Sequence, residues 1–91
     1  MAARVCRRVR AHGRVQAVGF RDWLARRAAG RGVDGWVRNR ADGSLEAVLA
    51  GPEDAVGPLV DLIRQGPPGA RVDDLEVDDE PADPGAGFAI R

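Results

Sequence analysis

The order in which strand-like and helix-like hydrophobic patterns follow one another most limits what this chain can fold into. Apolar residues at every second position indicate a strand, whereas apolar residues at every third or fourth position indicate a helix. One alternating strand face consists of Leu45, Ala47 and Leu49. One helical stripe, with the spacing of a single helix face, consists of Phe20, Trp23, Leu24 and Ala28. The chain therefore mixes the two kinds of element.

These patterns, with the turn residues between them, predict four main strands, two helices and a short final strand. In chain order we expect a strand at 5–11, a helix at 20–30, strands at 33–39 and 44–50, a helix from about 54 to 65, a strand at 72–77 and a short strand at 88–90. Ala41-Asp42-Gly43 favours a tight turn, because Asp and Gly tolerate positive φ, so the second and third strands should pair as an antiparallel hairpin. Pro58 is expected near the first turn of the second helix, where a missing N–H costs least. We expect an acidic loop at 78–87.

The order strand, helix, strand, strand, helix, strand is typical of a ferredoxin-like βαββαβ sandwich. We therefore predict an α+β protein in which an antiparallel sheet carries two helices on one face. A chain of 91 residues should form one domain, and we expect that domain to span residues 1–91. Val9 and Ala11 should point from the first strand into its core.

Composition excludes several classes of site. Every one of the 14 Lys and Arg residues is Arg, so the chain lacks the lysine that a Walker-type phosphate loop or Schiff-base chemistry needs. The single cysteine, Cys6, cannot form an internal disulfide, which favours a reducing cytoplasm. No run approaches the roughly 20 apolar residues of a membrane helix, so we expect no membrane partner.

Charge is distributed unevenly along the chain although the net charge is zero. Residues 1–40 carry 11 Arg against two acids, and residues 41–91 carry three Arg against 12 acids. An RNA-binding domain of this fold is therefore one alternative, because such domains stack bases on sheet aromatics. The chain has only two Trp and two Phe and no aromatic-rich strand motif, so we expect no nucleic-acid partner.

The stretch from Gly13 to Arg21 has the composition of an anion-holding loop that leads into a helix. Its two glycines let the backbone approach a bound group closely. Residues 16–20 can offer backbone N–H donors, and the first helical turn adds partial positive charge. Arg21 supplies a planar fork of donors that suits two oxygens of one phosphate. We therefore predict a phosphate site that needs neither a metal nor a covalent nucleophile.

Other polar residues near this loop have structural explanations. His12 is a single histidine at a charged strand end, which we expect to be structural or exposed to solvent. Ser44 follows Asp-Gly and fits a turn rather than a nucleophile. Cys6 and His12 together have too few ligands for a metal site. Trp36 is expected to pack on the sheet, with contact to a substrate group as the alternative.

Two long motifs resemble those of the acylphosphatase family. The family's first motif is close to Gly-x-Val-Gln-Gly-Val-x-Phe-Arg, and residues 13–21 match it except at Ala17, which replaces a glycine. The second motif is close to Gly-aromatic-Val-basic-Asn-x-x-x-Gly-x-Val with a later Gly. It is matched by Gly35, Trp36, Val37, Arg38, Asn39, Gly43, Leu45 and Gly51. The resemblance extends over essentially the whole chain.

This resemblance implies hydrolysis of acyl phosphates to a carboxylate and inorganic phosphate, with no metal and no cofactor. By position, Arg21 and Asn39 would be catalytic, the arginine binding phosphate and the asparagine orienting the attacking water. The phosphate-binding segment would comprise Arg14, Val15, Gln16, Ala17, Val18, Gly19, Phe20 and Arg21. The resemblance implies a small acyl phosphate as the partner, and we expect a monomer.

Ala17 is the departure that leaves a second interpretation open. If this position needs positive φ, alanine costs about 1 kcal/mol or more, whereas at negative φ the change is harmless. A damaged loop would make the chain a non-catalytic anion-binding module of the same fold. Related domains also occur inside large maturation enzymes that handle carbamoyl phosphate, but we expect a free-standing form here.

Overall fold

The computed structural model describes residues 3–91. Its elements in chain order are β1 Arg4–Arg14, α1 Phe20–Gly30, β2 Asp34–Asn39, β3 Leu45–Pro52, α2 Glu53–Gln65, β4 Arg71–Asp79 and β5 Phe88–Ile90. Met1 and Ala2, which the single-domain prediction includes, lie outside the described residues. Within residues 3–91, neither helix is long and apolar enough to cross a membrane.

The five strands form one sheet in the order β4-β1-β3-β2-β5. The βαββαβ prediction is confirmed, with one correction: the sheet is mixed rather than antiparallel throughout. β1, β2, β3 and β4 pair antiparallel with their neighbours, but β5 runs parallel to β2. The reason is that residues 80–87 carry the chain from the β4 edge to the opposite edge and reverse its direction there.

Strand pairing explains where the element bounds differ from the predicted ones. β1 continues to Arg14, because Gly13 and Arg14 pair with Val72 and Arg71 of β4. The predicted acidic loop starts later than residue 78, because Asp78 and Asp79 pair with Arg8 and Arg7. A Cβ on Gly13 would collide with the carbonyl oxygen of Arg71. Glycine at this position therefore serves strand pairing rather than close approach of a ligand.

The two helices begin and end close to their predicted bounds. α1 has the predicted bounds, and its buried residues are Phe20, Leu24 and Ala28. α2 begins at Glu53, so Pro58 is its sixth residue and lies in the second turn rather than the first. The N–H that Pro58 lacks would have bonded the carbonyl of Asp54, which is in the exposed first turn. The helix therefore continues through the proline.

The core lies between the helices and one face of the sheet. The predicted inward residues of β1 and β3 are fully buried; these are Val9, Ala11, Leu45, Ala47 and Leu49. Against them pack the α1 stripe and the α2 residues Val56, Leu59, Val60 and Ile63. The opposite sheet face is largely polar, and β1 and β2 end beside the start of α1. This junction is where the predicted site residues meet.

Candidate active site

A small cleft lies where β1 leads into α1, next to the end of β2. Its volume is about 90 Å³, and it is lined by Val15, Ala17, Gly19, Phe20, Arg21, Asp22 and Asn39. A larger groove of about 420 Å³ lies between α2 and the β1–β4 pair, lined in part by Val5, Pro58 and Val77. That groove contains no predicted site residue, so the small cleft is the candidate site.

The start of α1 presents unsatisfied N–H groups at this cleft. Gly19 is the N-cap residue, with φ 76° and ψ 20°. As a glycine it has no side chain that could accept a hydrogen bond from the first N–H groups of the helix. The first intrahelical bond runs from the Trp23 N–H to the Gly19 carbonyl at 3.0 Å. The N–H groups of the first turn therefore have no intrahelical acceptor. Together with the helix dipole, they favour an anion in the cleft.

Ala17 has a left-handed backbone conformation with φ 61°. It is the one non-glycine residue of the described chain with positive φ. For an L-residue with a Cβ, this conformation costs about 1–2 kcal/mol. Of the two alternatives for Ala17, positive φ with a cost in free energy and negative φ without one, the structure therefore has the first. Ala17 is exposed and lines the cleft.

Gln16 fastens the loop to the β2–β3 turn. Its Nε2 donates to the carbonyl oxygen of Arg40 at 2.8 Å and to that of Ser44 at 3.0 Å. The same Ser44 oxygen accepts the Arg40 N–H at 2.8 Å, which closes the turn. Gln16 thereby couples residues 15–19 to the strand end that carries Asn39.

Arg21 lies in the first turn of α1 and is half-buried at the cleft. Its Nη1 donates a long hydrogen bond of 3.4 Å to the backbone oxygen of Arg91. The Arg91 N–H in turn donates to the carbonyl of Val37, two residues before Asn39 in β2, at 2.8 Å. The end of β5 therefore orients the guanidinium, and the weak bond leaves the guanidinium free to engage a ligand.

Asn39 is the last residue of β2 and stands opposite Leu45 of β3. Its Oδ1 is buried, yet no atom of residues 3–91 donates a hydrogen bond to it. A buried acceptor without a donor costs about 1–3 kcal/mol. This oxygen is therefore an acceptor that lacks a donor, in a residue that lines the same cleft as Arg21.

The structure brings most of the predicted site residues together. Those that line the cleft are Val15, Ala17, Gly19, Phe20, Arg21 and Asn39. Three others do not line it. Arg14 belongs to β1 opposite Arg71, Gln16 turns toward Arg40, and Val18 packs against the core. Asp22 also lines the cleft, although the motifs did not predict it as a site residue. Its position in the first turn of α1, next to Arg21, is the sequence feature that could have indicated it.

The sequence did not lead us to predict one feature near the site, a buried carboxylate surrounded by four arginines. Glu46 is 1% exposed. Its oxygens lie 2.6–3.7 Å from guanidinium nitrogens of Arg38, Arg40, Arg10 and Arg8. Burial raises the pKa of Glu46. The Arg38 hydrogen bond and the surrounding cations lower this pKa by more than burial raises it, so the net shift is downward. Since Arg38 and Arg40 flank Asn39, the ionised Glu46 fixes the side chains on either side of it.

The remaining polar candidates lie outside the cleft. His12 Nε2 is 2.8 Å from a carboxylate oxygen of Glu76, on the polar sheet face. The Ser44 hydroxyl donates to Asp42, as a turn serine does. Trp36 lies beneath the guanidiniums of Arg38 and Arg91, whose carbons are 5.3 Å and 4.6 Å from the ring centre. None of the three lines the cleft.

Comparison with known proteins gives the same answer in sequence and in structure. The acylphosphatase family model matches residues 7–90. An acylphosphatase from Rhizorhabdus wittichii is 51% identical over 93% of this chain and 86% of its own length. A Bacillus subtilis acylphosphatase structure aligns with TM-score 0.90 and 36% identity, covering 96% of this chain and 98% of that one. A Coxiella burnetii acylphosphatase structure aligns with TM-score 0.92 and 30% identity, covering 97% of this chain and 93% of that one. The chain belongs to the acylphosphatase family.

Proposed function

We propose that separate residues bind the phosphoryl group and orient the water in acyl phosphate hydrolysis, the activity that membership of the acylphosphatase family gives to this chain. Arg21 and the loop hold the phosphoryl group, and Asn39 orients the attacking water. One observation carries the proposal: Asn39, whose buried Oδ1 has no donor among residues 3–91, lines the same cleft as Arg21 and the start of α1. The groups that would bind the phosphoryl charge and the residue that would orient the attacking water therefore line the same cleft.

Arg21 and the first N–H groups of α1 supply the positive charge that the phosphoryl oxygens need. Charge-assisted hydrogen bonds contribute roughly 1.5–3 kcal/mol each. Because the leaving group is a stable carboxylate, the enzyme mainly has to position the phosphoryl group and stabilise its charge. The planar fork of Arg21 can contact two oxygens at once in a fixed geometry, which the rotatable ammonium group of a lysine does not impose.

Asn39 orients water without acting as a base. Its amide is neutral near neutral pH, so it accepts a hydrogen bond from the water but does not take a proton. The proton of the attacking water passes to a substrate oxygen. The water oxygen bonds to phosphorus, the bond from phosphorus to the acyl oxygen breaks, and the carboxylate leaves with that bonding pair.

The proposal extends to the setting of this activity. The substrate is a small molecule, and residues 1–91 act as one domain and as a monomer. The single cysteine suits a reducing cytoplasm, where we place the protein.

Hydrolysis in water enriched in oxygen-18 tests the proposed direction of attack. If water attacks phosphorus, the label appears in inorganic phosphate and the carboxylate stays unlabelled. Label in the carboxylate would show attack at the acyl carbon and would overturn the role given to Asn39.

Two variants separate the proposed roles. Arg21→Lys keeps the charge but loses the fork, so KM for acyl phosphate and the inhibition constant for phosphate should both rise. Asn39→Ala should lower kcat while phosphate inhibition changes little, because the water and not the phosphate is lost. Arg64→Ala, on the exposed end of α2, is the matched control and should leave all three constants unchanged. Loss of phosphate inhibition in Asn39→Ala would contradict this division.

A further inference from the structure

Asn39 lies between two arginines whose side chains bind one buried carboxylate on the polar face of the sheet. Asn39 lines the cleft, whereas Arg38, the residue before it, stands opposite Glu46 of β3 and points to the polar face. The Nε of Arg38 donates to Oε1 of Glu46 at 2.7 Å. The Nη1 of Arg40 donates to Oε2 at 3.2 Å. The residues on both sides of Asn39 are therefore fastened to the two oxygens of one side chain.

Glu46 is a fixed anchor for these arginines because β3 is held by the core. Leu45 and Ala47, its neighbours in β3, are fully buried among the core residues. The Glu46 side chain is itself buried. Within residues 3–91, neither Arg38 nor Arg40 forms an ion pair with any other carboxylate. Loss of the Glu46 charge would therefore release both arginines at once.

The direction of the Asn39 side chain depends on the backbone at this strand end. β5 pairs with β2 only as far as Val37, so Arg38 and Asn39 pair with β3 alone. Within residues 3–91, no donor reaches the buried Oδ1 of Asn39, so no hydrogen bond to this oxygen fixes the side chain. The two arginine contacts of Glu46 therefore restrain the backbone on both sides of Asn39.

We propose that Glu46 is a positioning residue: by holding the arginines on both sides of Asn39, it keeps the Asn39 amide directed into the cleft, where the attacking water is oriented. This inference rests on the proposed function, since it requires Asn39 to orient that water. Phosphate binding should not depend on Glu46. Arg21 and the first N–H groups of α1 lie on the helix side of the sheet, whereas the Glu46 carboxylate lies on the polar face.

Glu46→Gln tests the positioning role, because it removes the charge and keeps the size of the side chain. We expect kcat for benzoyl phosphate to fall by about tenfold, since a misplacement of about 1 Å can cost on the order of 100-fold and the turn is still held by Gln16. The inhibition constant for inorganic phosphate should stay unchanged. An unchanged kcat in a folded Glu46→Gln protein would overturn the proposal.

Glu80→Gln is the matched control. The Glu80 carboxylate is 10% exposed and lies 2.9 Å from Nε of Arg8, so it is also a shielded, arginine-paired group. It follows β4, which β1 and β3 separate from β2. We expect Glu80→Gln to leave kcat unchanged, and a loss of kcat equal to that of Glu46→Gln would show a general effect of lost ion pairs and overturn the proposal.

A double-mutant cycle with Asn39→Ala separates positioning from general destabilisation. If Glu46 acts through Asn39, adding Glu46→Gln to Asn39→Ala should change kcat by less than about twofold. The effect of Glu46→Gln on the unfolding free energy should be the same in both backgrounds. A repeated tenfold loss of kcat would overturn the positioning role and leave the role of Asn39 intact. A full kcat in Asn39→Ala alone would instead contradict the proposed function, and this inference with it.

Arg38→Gln tests the same contact from the solvent side. Its side chain is 48% exposed, so the substitution puts the fold at less risk than a change at Glu46. We expect a smaller loss of kcat, because Arg40 still binds Glu46, with an unchanged inhibition constant for phosphate and no further loss in Asn39→Ala. If Glu46→Gln does not fold, this cycle decides: a loss of kcat that persists in Asn39→Ala, or no loss in the single variant, overturns the proposal.

Discussion

Gln16 Nε2 lies 2.8 Å from the carbonyl oxygen of Arg40, and this bond joins the two motifs of the chain. The first motif supplies the loop before α1, and the second supplies Asn39 at the end of β2. The loop adds little regular hydrogen bonding of its own, so its position relative to Asn39 depends on this side chain. We therefore propose that the side chain of Gln16 positions the loop, whereas the predicted contact of this residue with phosphate would come from its backbone N–H.

Replacing Gln16 by Met should lower kcat by about tenfold or more, because a misplacement of about 1 Å can cost on the order of 100-fold. Two carbonyls, those of Arg40 and Ser44, each lose the Gln16 donor, and each keeps one backbone donor, from Gly43 and Arg40 respectively. We expect a fall in the unfolding free energy of about 1 kcal/mol for each. Urea unfolding and steady-state kinetics measure the two effects. Gln65→Met at the exposed end of α2 is the control, and an unchanged kcat in Gln16→Met would refute the positioning role.

Ala17→Gly should stabilise the protein by about 1 kcal/mol, because glycine adopts φ near 61° without strain. Activity should change by less than tenfold, since the loop already forms the cleft with alanine present. Ala29→Gly, at an exposed position within α1, should instead destabilise by about 1 kcal/mol. Thermal unfolding compares the two variants. An increase in activity far beyond tenfold in Ala17→Gly would show that the alanine had damaged the site.

Glu46→Gln should lower the unfolding free energy at pH 7 by about 2 kcal/mol, because hydrogen bonds to charged groups are lost in a buried place. Since the folded pKa of Glu46 is depressed, its stabilising effect is present above the ordinary pKa of 4.5 and is lost as pH falls through the folded value. The difference between wild type and variant should therefore shrink as pH falls below 4.5. Glu53→Gln, at an exposed carboxylate, is the control. A difference that stays constant with pH would contradict this account.

Asp83 should titrate far below the normal range of an aspartate. Its carboxylate accepts two hydrogen bonds from Arg4, at 2.8 Å and 2.9 Å, and one from the Gly85 N–H, which together lower its pKa to about 2. The stabilisation from this group is present above its unfolded pKa and is lost as pH falls toward 2. Carbon-13 NMR of the carboxyl group measures the value directly. In Arg4→Met the pKa should rise, and an unchanged value would argue against the Arg4 pairing.

Local pattern was enough to predict the elements that set the fold. The helical stripe from Phe20 to Ala28 located α1, and the alternation around Ala47 located the inner face of β3. The parallel pairing of β5 with β2 was not predictable in this way. It depends on where residues 80–87 cross the molecule, which no local spacing encodes.

The candidate site was predictable where side-chain type and motif position agree, as for Arg21 and Asn39. Tertiary contacts decided the rest. Gln16 turns toward Arg40 because the β2–β3 turn offers carbonyl acceptors there, and this turn is remote in sequence. The arginine cluster on Glu46 required the register that places Arg10 and Arg38 on either side of it. The φ of Ala17 could be stated only as two alternatives.

Hydrolysis of benzoyl phosphate with EDTA present tests the central claim most directly, measured for wild type, Arg21→Ala, Asn39→Ala and the control Arg64→Ala. We predict hydrolysis by wild type and by the control, and losses on the order of 100- to 1,000-fold in the other two, typical for removal of one preorganised hydrogen-bonding group. A folded wild-type protein that binds phosphate but does not hydrolyse benzoyl phosphate above background would contradict the account. It would identify the chain as a non-catalytic anion-binding module.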